Sequence, residues 1–313
     1  MVRGVHMKSK FNLSLGILAL ATLGHSQAQT TYHFAQVDGH KVFYREAGPK
    51  NAKTIVLLHG FPSSSHMFRD LIPKLATKYH VVAPDYIGFG YSDVPSRASF
   101  AYTFANLASI TDKLLAQTGN TRYTLYVQDY GGPVGFRLAT AHHERVEGLI
   151  VQNSNAYLEG ISKLAFGVLA EFGKNRNAET EKPVRGLLGY EGIKYGYVQG
   201  SPNPAAISPD SYTFDNALFQ AKPENEEIQL DLFADYQSNV ALYPQWQAYF
   251  RKYQPRTLIV WGKGDPFFTV AGSKAYARDL KHVVYNLYDA GHFALEEKGP
   301  EIAAKILSFL GRK

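Results

Sequence analysis

Val127-Gln128-Asp129-Tyr130-Gly131-Gly132-Pro133 is the stretch whose reading decides the fold. An apolar, β-rich run, Tyr123 to Val127, leads into it, and an apolar helical pattern, Val134 to Ala141, leads out. A strand, a sharp turn and a helix with a reactive side chain at the turn is the setting of a nucleophile elbow. The usual pattern is G-x-S-x-G. Here Asp129 holds the reactive position, Gly131 keeps the small residue two places on, and Val127 replaces the first glycine.

Outward from the elbow, short continuously apolar strands of the buried parallel kind recur at Thr54 to Leu58, Val81 to Ala83, Gly148 to Gln152 and Thr257 to Trp261, with a last strand at His282 to Leu287. A helix is expected at about Met67 to Thr77, helical spacing marks Phe104 to Gln117, and Ile302 to Leu310 forms a terminal amphipathic helix. Thr31 to Val37 and Lys41 to Glu46 read as a strand pair turned at Asp38-Gly39. Between Ala156 and Tyr253 the alternation stops, and the segment is helical in character, rich in Tyr, and broken at Pro202-Asn203-Pro204. The expected fold class is α/β: a mostly parallel central sheet flanked by helices, carrying an inserted helical cap. The expected divisions are a signal segment (1–28), a first core part (29–155), the cap (156–253) and a second core part (254–313).

The chain has 313 residues, 45% of them hydrophobic, enough for a sizeable core. Its formal net charge is +6, half of it from Arg3, Lys8 and Lys10. No long basic run follows, so nucleic acid is not an expected partner. Met7 to Lys10 is a basic n-region, Phe11 to Leu23 is mostly apolar, and Ser26-Gln27-Ala28 is a small-x-small cleavage site. The expectation is an exported protein, periplasmic or secreted, cut after Ala28 and without stable membrane insertion afterwards. There is no cysteine, so the fold relies on packing rather than disulfides.

In open α/β sheets ligands bind beyond the carboxyl ends of the strands. Asp129, Asp265 (in Gly262-Lys263-Gly264-Asp265-Pro266) and His292 (in Gly291-His292-Phe293) each follow a predicted strand. Singly, Asp129 reads equally as a helix N-cap, Asp265 as a turn residue and His292 as a loop histidine. Together, in the order nucleophile, acid, histidine, they make a triad. His59-Gly60-Phe61-Pro62 supplies the backbone N–H of Phe61, which with that of Tyr130 forms an oxyanion hole, with Pro62 a candidate for a cis peptide. His59 reads as structural, Asp85 and Asp93 as turn residues, and Glu296 and Glu297 as braces of the last helix. His142-His143 lacks a third ligand, and no metal or cofactor is expected.

With these motifs and Pro84-Asp85-Tyr86-Ile87-Gly88-Phe89-Gly90-Tyr91-Ser92-Asp93, the chain resembles the α/β-hydrolase superfamily over its whole post-signal length. The aspartate at the elbow narrows the resemblance to the epoxide hydrolase and haloalkane dehalogenase branch, and its closest likeness is to epoxide hydrolases. The resemblance implies an Asp-His-Asp triad beneath the cap. A carboxylate attacking an ester or amide forms an unproductive anhydride, whereas attack on a saturated carbon forms an alkyl-enzyme ester that activated water then splits. The expected substrates are a small apolar molecule and water. An epoxide needs a proton donor, for which the resemblance implies two cap tyrosines: Tyr236, in Asp235-Tyr236-Gln237-Ser238-Asn239, and Tyr197, with Tyr195 close behind. Dehalogenases commonly carry Trp after the nucleophile and often Asn after the H-G, where this chain has Tyr130 and Phe61. Gln128 is the dehalogenase-like exception, and Trp246 is the cap's candidate halide donor. The rivals to an epoxide hydrolase are a haloalkane or haloacid dehalogenase with the same triad and a non-catalytic ligand-binding homologue. The sequence leaves the oligomeric state open.

Overall fold

A computed structural model describes residues 1, 2, 4, 29–222 and 224–312. The signal segment read in the sequence therefore lies outside the described residues, apart from residues 1, 2 and 4. Eight strands form one sheet in the order β1-β2-β4-β3-β5-β6-β7-β8. They are β1 (Thr31–Val37), β2 (His40–Ala47), β3 (Thr54–Leu58), β4 (His80–Pro84), β5 (Tyr123–Gln128), β6 (Val146–Gln152), β7 (Thr257–Gly262) and β8 (Val283–Tyr288). The hairpin β1–β2 and the pair β2–β4 are antiparallel, and every later pairing is parallel. Every residue of β3, β4, β5 and β7 is buried. Helices on both faces leave these strands no wet side, which is why they read as continuous apolar runs.

The helices are α1 (Ile72–Leu75), α2 (Phe104–Gln117), α3 (Gly131–Ala141), α4 (Lys163–Lys174), α5 (Ala178–Gly186), α6 (Tyr190–Val198), α7 (Pro209–Gln220), α8 (Asn225–Tyr253), α9 (Val270–Ala275) and α10 (Ala294–Gly311). The hairpin turns at Asp38-Gly39, both with positive φ (51° and 82°), and α2 has the predicted bounds. One expected helix fails: 67–77 is a 3-10 turn, Ser65–Phe68, followed by the single turn α1. Pro73 sits in the first turn of α1; inside a longer helix it would remove a backbone bond and clash with the preceding turn. The last helix begins earlier than its apolar spacing suggests and kinks at Lys298, two residues before Pro300.

Helices α4 to α8 lie between β6 and β7, in the 156–253 segment. Helix α8 is 29 residues long and ties this insertion to the sheet domain. Asp235 accepts the N–H of Phe104 at the start of α2 (2.8 Å), and Arg137 of α3 donates to Asn239 (2.6 Å) and Ser238 (3.0 Å). Arg97, from the core, and Arg176, from the α4–α5 turn, both clamp Asp231 of α8. Among the described residues no helix is long and apolar enough to cross a membrane.

Candidate active site

Strand β5 runs out at Gln128, and the chain turns through Asp129 at φ 48° before α3 begins. Positive φ is uncommon for a residue with a side chain, and a strained apex of this kind is what lifts a nucleophile clear of the backbone. The surrounding glycines are spaces rather than hinges. A Cβ at Gly131 would stand 2.1 Å from the Leu58 carbonyl oxygen, and one at Gly60 would stand 2.2 Å from the Asp129 Cβ. The replacement of the elbow's first glycine by Val127 is answered across the turn: a Cβ on Gly135 would come within 2.6 Å of Val127 Cγ1. The elbow keeps its packing by moving the small residue to the helix.

Asp129, Asp265 and His292 meet at the carboxyl ends of β5, β7 and β8. His292 Nδ1 lies 2.8 Å from Asp265 Oδ2, and His292 Nε2 lies 3.9 Å from Asp129 Oδ2. Asp265 is held from both oxygens: Oδ1 accepts the N–H groups of Phe267 (2.7 Å) and Phe268 (3.0 Å), and Oδ2 also accepts Asn153 Nδ2 (2.7 Å). The Phe61 N–H donates to Asp129 Oδ1 at 2.7 Å, and the Tyr130 N–H also serves this carboxylate. These are the two backbone donors named from the sequence. The Phe61-Pro62 peptide is cis.

Burial raises the Asp129 pKa above the ordinary carboxylate value, although His292 and the two N–H donors pull the other way. Burial opposes the charged form of His292, but Asp265 and Asp129 outweigh it and raise the histidine above its usual value. Each group thus holds the other's charge, and removing one charge changes the other's proton affinity.

Above Asp129 is a cavity of about 480 Å³. Its floor is Phe61, Asp129, Tyr130 and His292, and its roof comes from α4, α5, α6 and α8 of the insertion. Tyr236 lines it, buried, with its hydroxyl beside that of Tyr243, which in turn accepts Asn155 Nδ2 (3.2 Å). Burial, then Tyr243 and Asp129, raise the Tyr236 pKa well above the usual phenol value, so the hydroxyl keeps its proton. Tyr197 is a correction to the expected pair of donors. It does not line the cavity; its hydroxyl donates to buried Asp215, and its ring stacks on Phe293 at 3.9 Å. Burial lifts Asp215 to about 7, and this bond partly offsets the cost. Successive helical residues point to different faces, and Tyr195, two residues earlier on α6, is the one that reaches the cavity.

The residues read as structural sit as supports. His59 Nδ1 lies 3.1 Å from the Gly60 carbonyl, and its Nε2 accepts the Tyr86 N–H at 3.3 Å; burial drives its pKa down to about 4, so it is neutral. Asp85 accepts the N–H groups of Ser65 and Tyr91 (2.7 and 2.8 Å), and Asp93 accepts that of Lys41 (2.6 Å). Glu296 pairs with Arg69, whereas Glu297 accepts the Gly291 N–H (2.9 Å) and so braces the loop that carries His292. His142 pairs with Asp112. Trp246 packs on Phe136 and Tyr243 away from the cavity, which removes it as a halide donor.

Sequence reasoning passed over Asn153. It follows β6 with φ 40°, its side chain exchanges hydrogen bonds with both backbone groups of Gly262 (2.9 and 3.1 Å), and it grips Asp265. Its signal was present, a polar residue at a buried strand end, but its partner was a backbone more than a hundred residues away.

A family profile described as the alpha/beta hydrolase fold matches residues 53–299. The chain is 41% identical over 282 residues to an uncharacterized hydrolase of Saccharomyces cerevisiae, covering 88% of this chain and 96% of that protein. It is 30% identical to a haloalkane dehalogenase of Mycobacterium marinum, over 86% of this chain and 88% of that one. Among solved structures it resembles the epoxide hydrolase CorEH (TM-score 0.73, 20% identity, 90% of this chain and 99% of that chain). The haloalkane dehalogenase DbeA from Bradyrhizobium elkani is alike to the same degree (TM-score 0.73, 22% identity, with the same coverage of both chains). At these identities the structural likeness speaks for the fold alone. The triad at the strand ends, the elbow and the profile that spans most of the chain converge: this protein is a member of the α/β-hydrolase family.

Proposed function

We propose that the protein hydrolyses epoxides to diols through an alkyl ester on Asp129. The observation that carries the reading is the cavity's choice of donors. Tyr236 lines the cavity together with Asp129, and apart from His292 no Trp, Asn, Gln, Arg or Lys is among the described residues lining it. A departing halide asks for N–H donors and no proton, whereas an opening epoxide asks for a proton, and a buried, protonated phenol supplies one. Among the described residues no Arg or Lys lines the cavity to pair a haloacid's carboxylate, which argues against haloacid substrates.

Asp129 Oδ1, already held by Phe61, becomes the ester carbonyl oxygen, and Oδ2 attacks the epoxide carbon. The ring C–O bond breaks, its electron pair goes to the oxygen, and Tyr236 protonates it. Ester formation cancels the charge on Asp129, one of the two charges that raise the His292 pKa, so the histidine becomes a free base when one is needed. His292 then takes a proton from water as the water oxygen attacks the Asp129 carboxyl carbon. The N–H groups of Phe61 and Tyr130 hold the oxyanion. On collapse the diol oxygen leaves with the proton from His292, and the new carboxylic acid returns its proton to the Tyr236 phenolate. Asp265 keeps the imidazole oriented and its cation stabilised throughout. The helical insertion acts as the cap, and the apolar walls suit an uncharged substrate.

A hydrolytic haloalkane dehalogenase is the second reading. The Mycobacterium marinum relative and Gln128 favour it. One experiment separates the two: a single turnover in oxygen-18 water on an epoxide panel and a haloalkane panel. Label in Asp129 with diol product supports the proposal, and label with halide release supports the alternative. No turnover of either panel, with unaltered ligand binding by an Asp129→Asn variant, would favour a non-catalytic binding protein.

A further inference from the structure

Gln128 is fully buried at the end of β5, one residue before Asp129, and its Nε2 lies 2.9 Å from His292 Nε2. In this arrangement the amide donates to the ring nitrogen's lone pair. The histidine is then the neutral tautomer, with its proton on Nδ1 facing Asp265. The same amide's Oε1 is buried without a partner among the described residues. A buried acceptor left unpaired costs free energy. Both oddities have one resolution. When His292 gains a proton on Nε2, the amide's N–H faces another N–H, and a half-turn about the last side-chain bond brings Oε1 onto the imidazolium. The bond is then charge-assisted and stronger than the one it replaces.

We propose that Gln128 is a positioning residue whose amide turns with the charge of His292, donating to the neutral ring and accepting from the imidazolium. Against the neutral ring its N–H fixes the imidazole plane. During ester hydrolysis its Oε1 stabilises the cation formed when water gives up its proton, so the amide acts in the second half-reaction and not in the first. No bond to Gln128 forms or breaks. The titratable groups facing His292 are Asp265 (2.8 Å) and Asp129 (3.9 Å); the rings of Phe267, Phe268 and Phe293 pack around it, and Gln152 Nε2 approaches its carbonyl oxygen at 3.4 Å. The hydrolytic role rests on the two-step reading above, but the turning amide does not.

The test is an NMR titration of the His292 ring signal, assigned by its absence from His292→Gln. Because the charge-assisted bond is the stronger one, Gln128→Met, which keeps the length and loses both faces, should lower the midpoint by about one pH unit. Gln128→Glu, an anionic acceptor of the same shape, should raise it. A rise in Gln128→Met means a fixed donor and overturns the proposal, as does no change in either variant; if Gln128→Glu does not fold, Gln128→Met alone decides. Rapid-quench kinetics test the role in turnover. Gln128→Met should slow ester hydrolysis about tenfold and leave ester formation within about twofold. Equal slowing of both steps overturns the assignment to the second. If no ester forms in the parent, the Asp129 mechanism fails while the titration still judges the amide.

Discussion

The floor and the roof of the cavity are built by different rules. The floor, Asp129, His292 and the Phe61 N–H, with Asp265 behind the histidine, hangs from the strand ends, and each group has a hydrogen-bond partner at 2.7 to 2.8 Å. The roof is carried by helices, where one residue's shift along the chain turns a side chain by about 100°. Tyr236 faces the cavity, whereas Tyr197 turns from it to Asp215. The strand ends fix the geometry of the candidate triad, and the helices above set the shape of the cavity and the side chains that line it.

This contrast is broken or sharpened by substitution. Asp129→Ala should cost the most, about 10⁴-fold or more in kcat, because nothing else on the floor can form the ester. Survival of more than a few per cent of activity would remove the covalent route. His292→Gln should leave ester formation measurable and slow its hydrolysis by about 10³-fold, so that intact-protein mass spectrometry finds a substrate adduct on Asp129. Its absence would show that the histidine acts earlier.

On the roof, Tyr236→Phe should depress epoxide opening by about 10²-fold. Tyr197→Phe should leave kcat within about threefold and lower stability by about 1 to 3 kcal/mol, because buried Asp215 loses its donor. If the two exchange effects, the roof has been read in the wrong rotation. Asn153→Leu should reduce kcat about tenfold, with KM little changed and a lower Tm, since both Gly262 groups and Asp265 lose a partner. The smallest effect is on pH. Ester formation needs ionised Asp129, and burial raises its pKa, so the rate of that step falls with acid at a pH above the ordinary aspartate value of about 4. Stopped-flow measurement of that step between pH 4 and 8 locates the limb; a limb at or below the ordinary value would mean that the carboxylate is better solvated than its burial implies.

Much of the floor was legible in the chain because strand-end chemistry is local. A buried strand announces itself by an apolar run, and the residue just after it is committed to the sheet's carboxyl edge. Asp129, Asp265 and His292 needed only that rule. The helix expected at 67–77 went wrong because Pro73 was not weighed, and backbone chemistry does not forgive it inside a longer helix. Asn153 went unnoticed because its work is done on a backbone brought to it only by folding.

The amino-acid sequence by itself determined the sheet strands, the elbow and the three residues that meet as the candidate triad, since these follow from residue type, order and a period of two or of 3.6. The tertiary structure alone decided which tyrosine lines the cavity with Asp129, that Trp246 serves packing, and that Gln128 touches the His292 imidazole. Those outcomes depend on the rotation and depth of helices packed against a sheet, and on contacts between segments 164 residues apart. No local pattern encodes such distances; only the closure of the core against the insertion sets them.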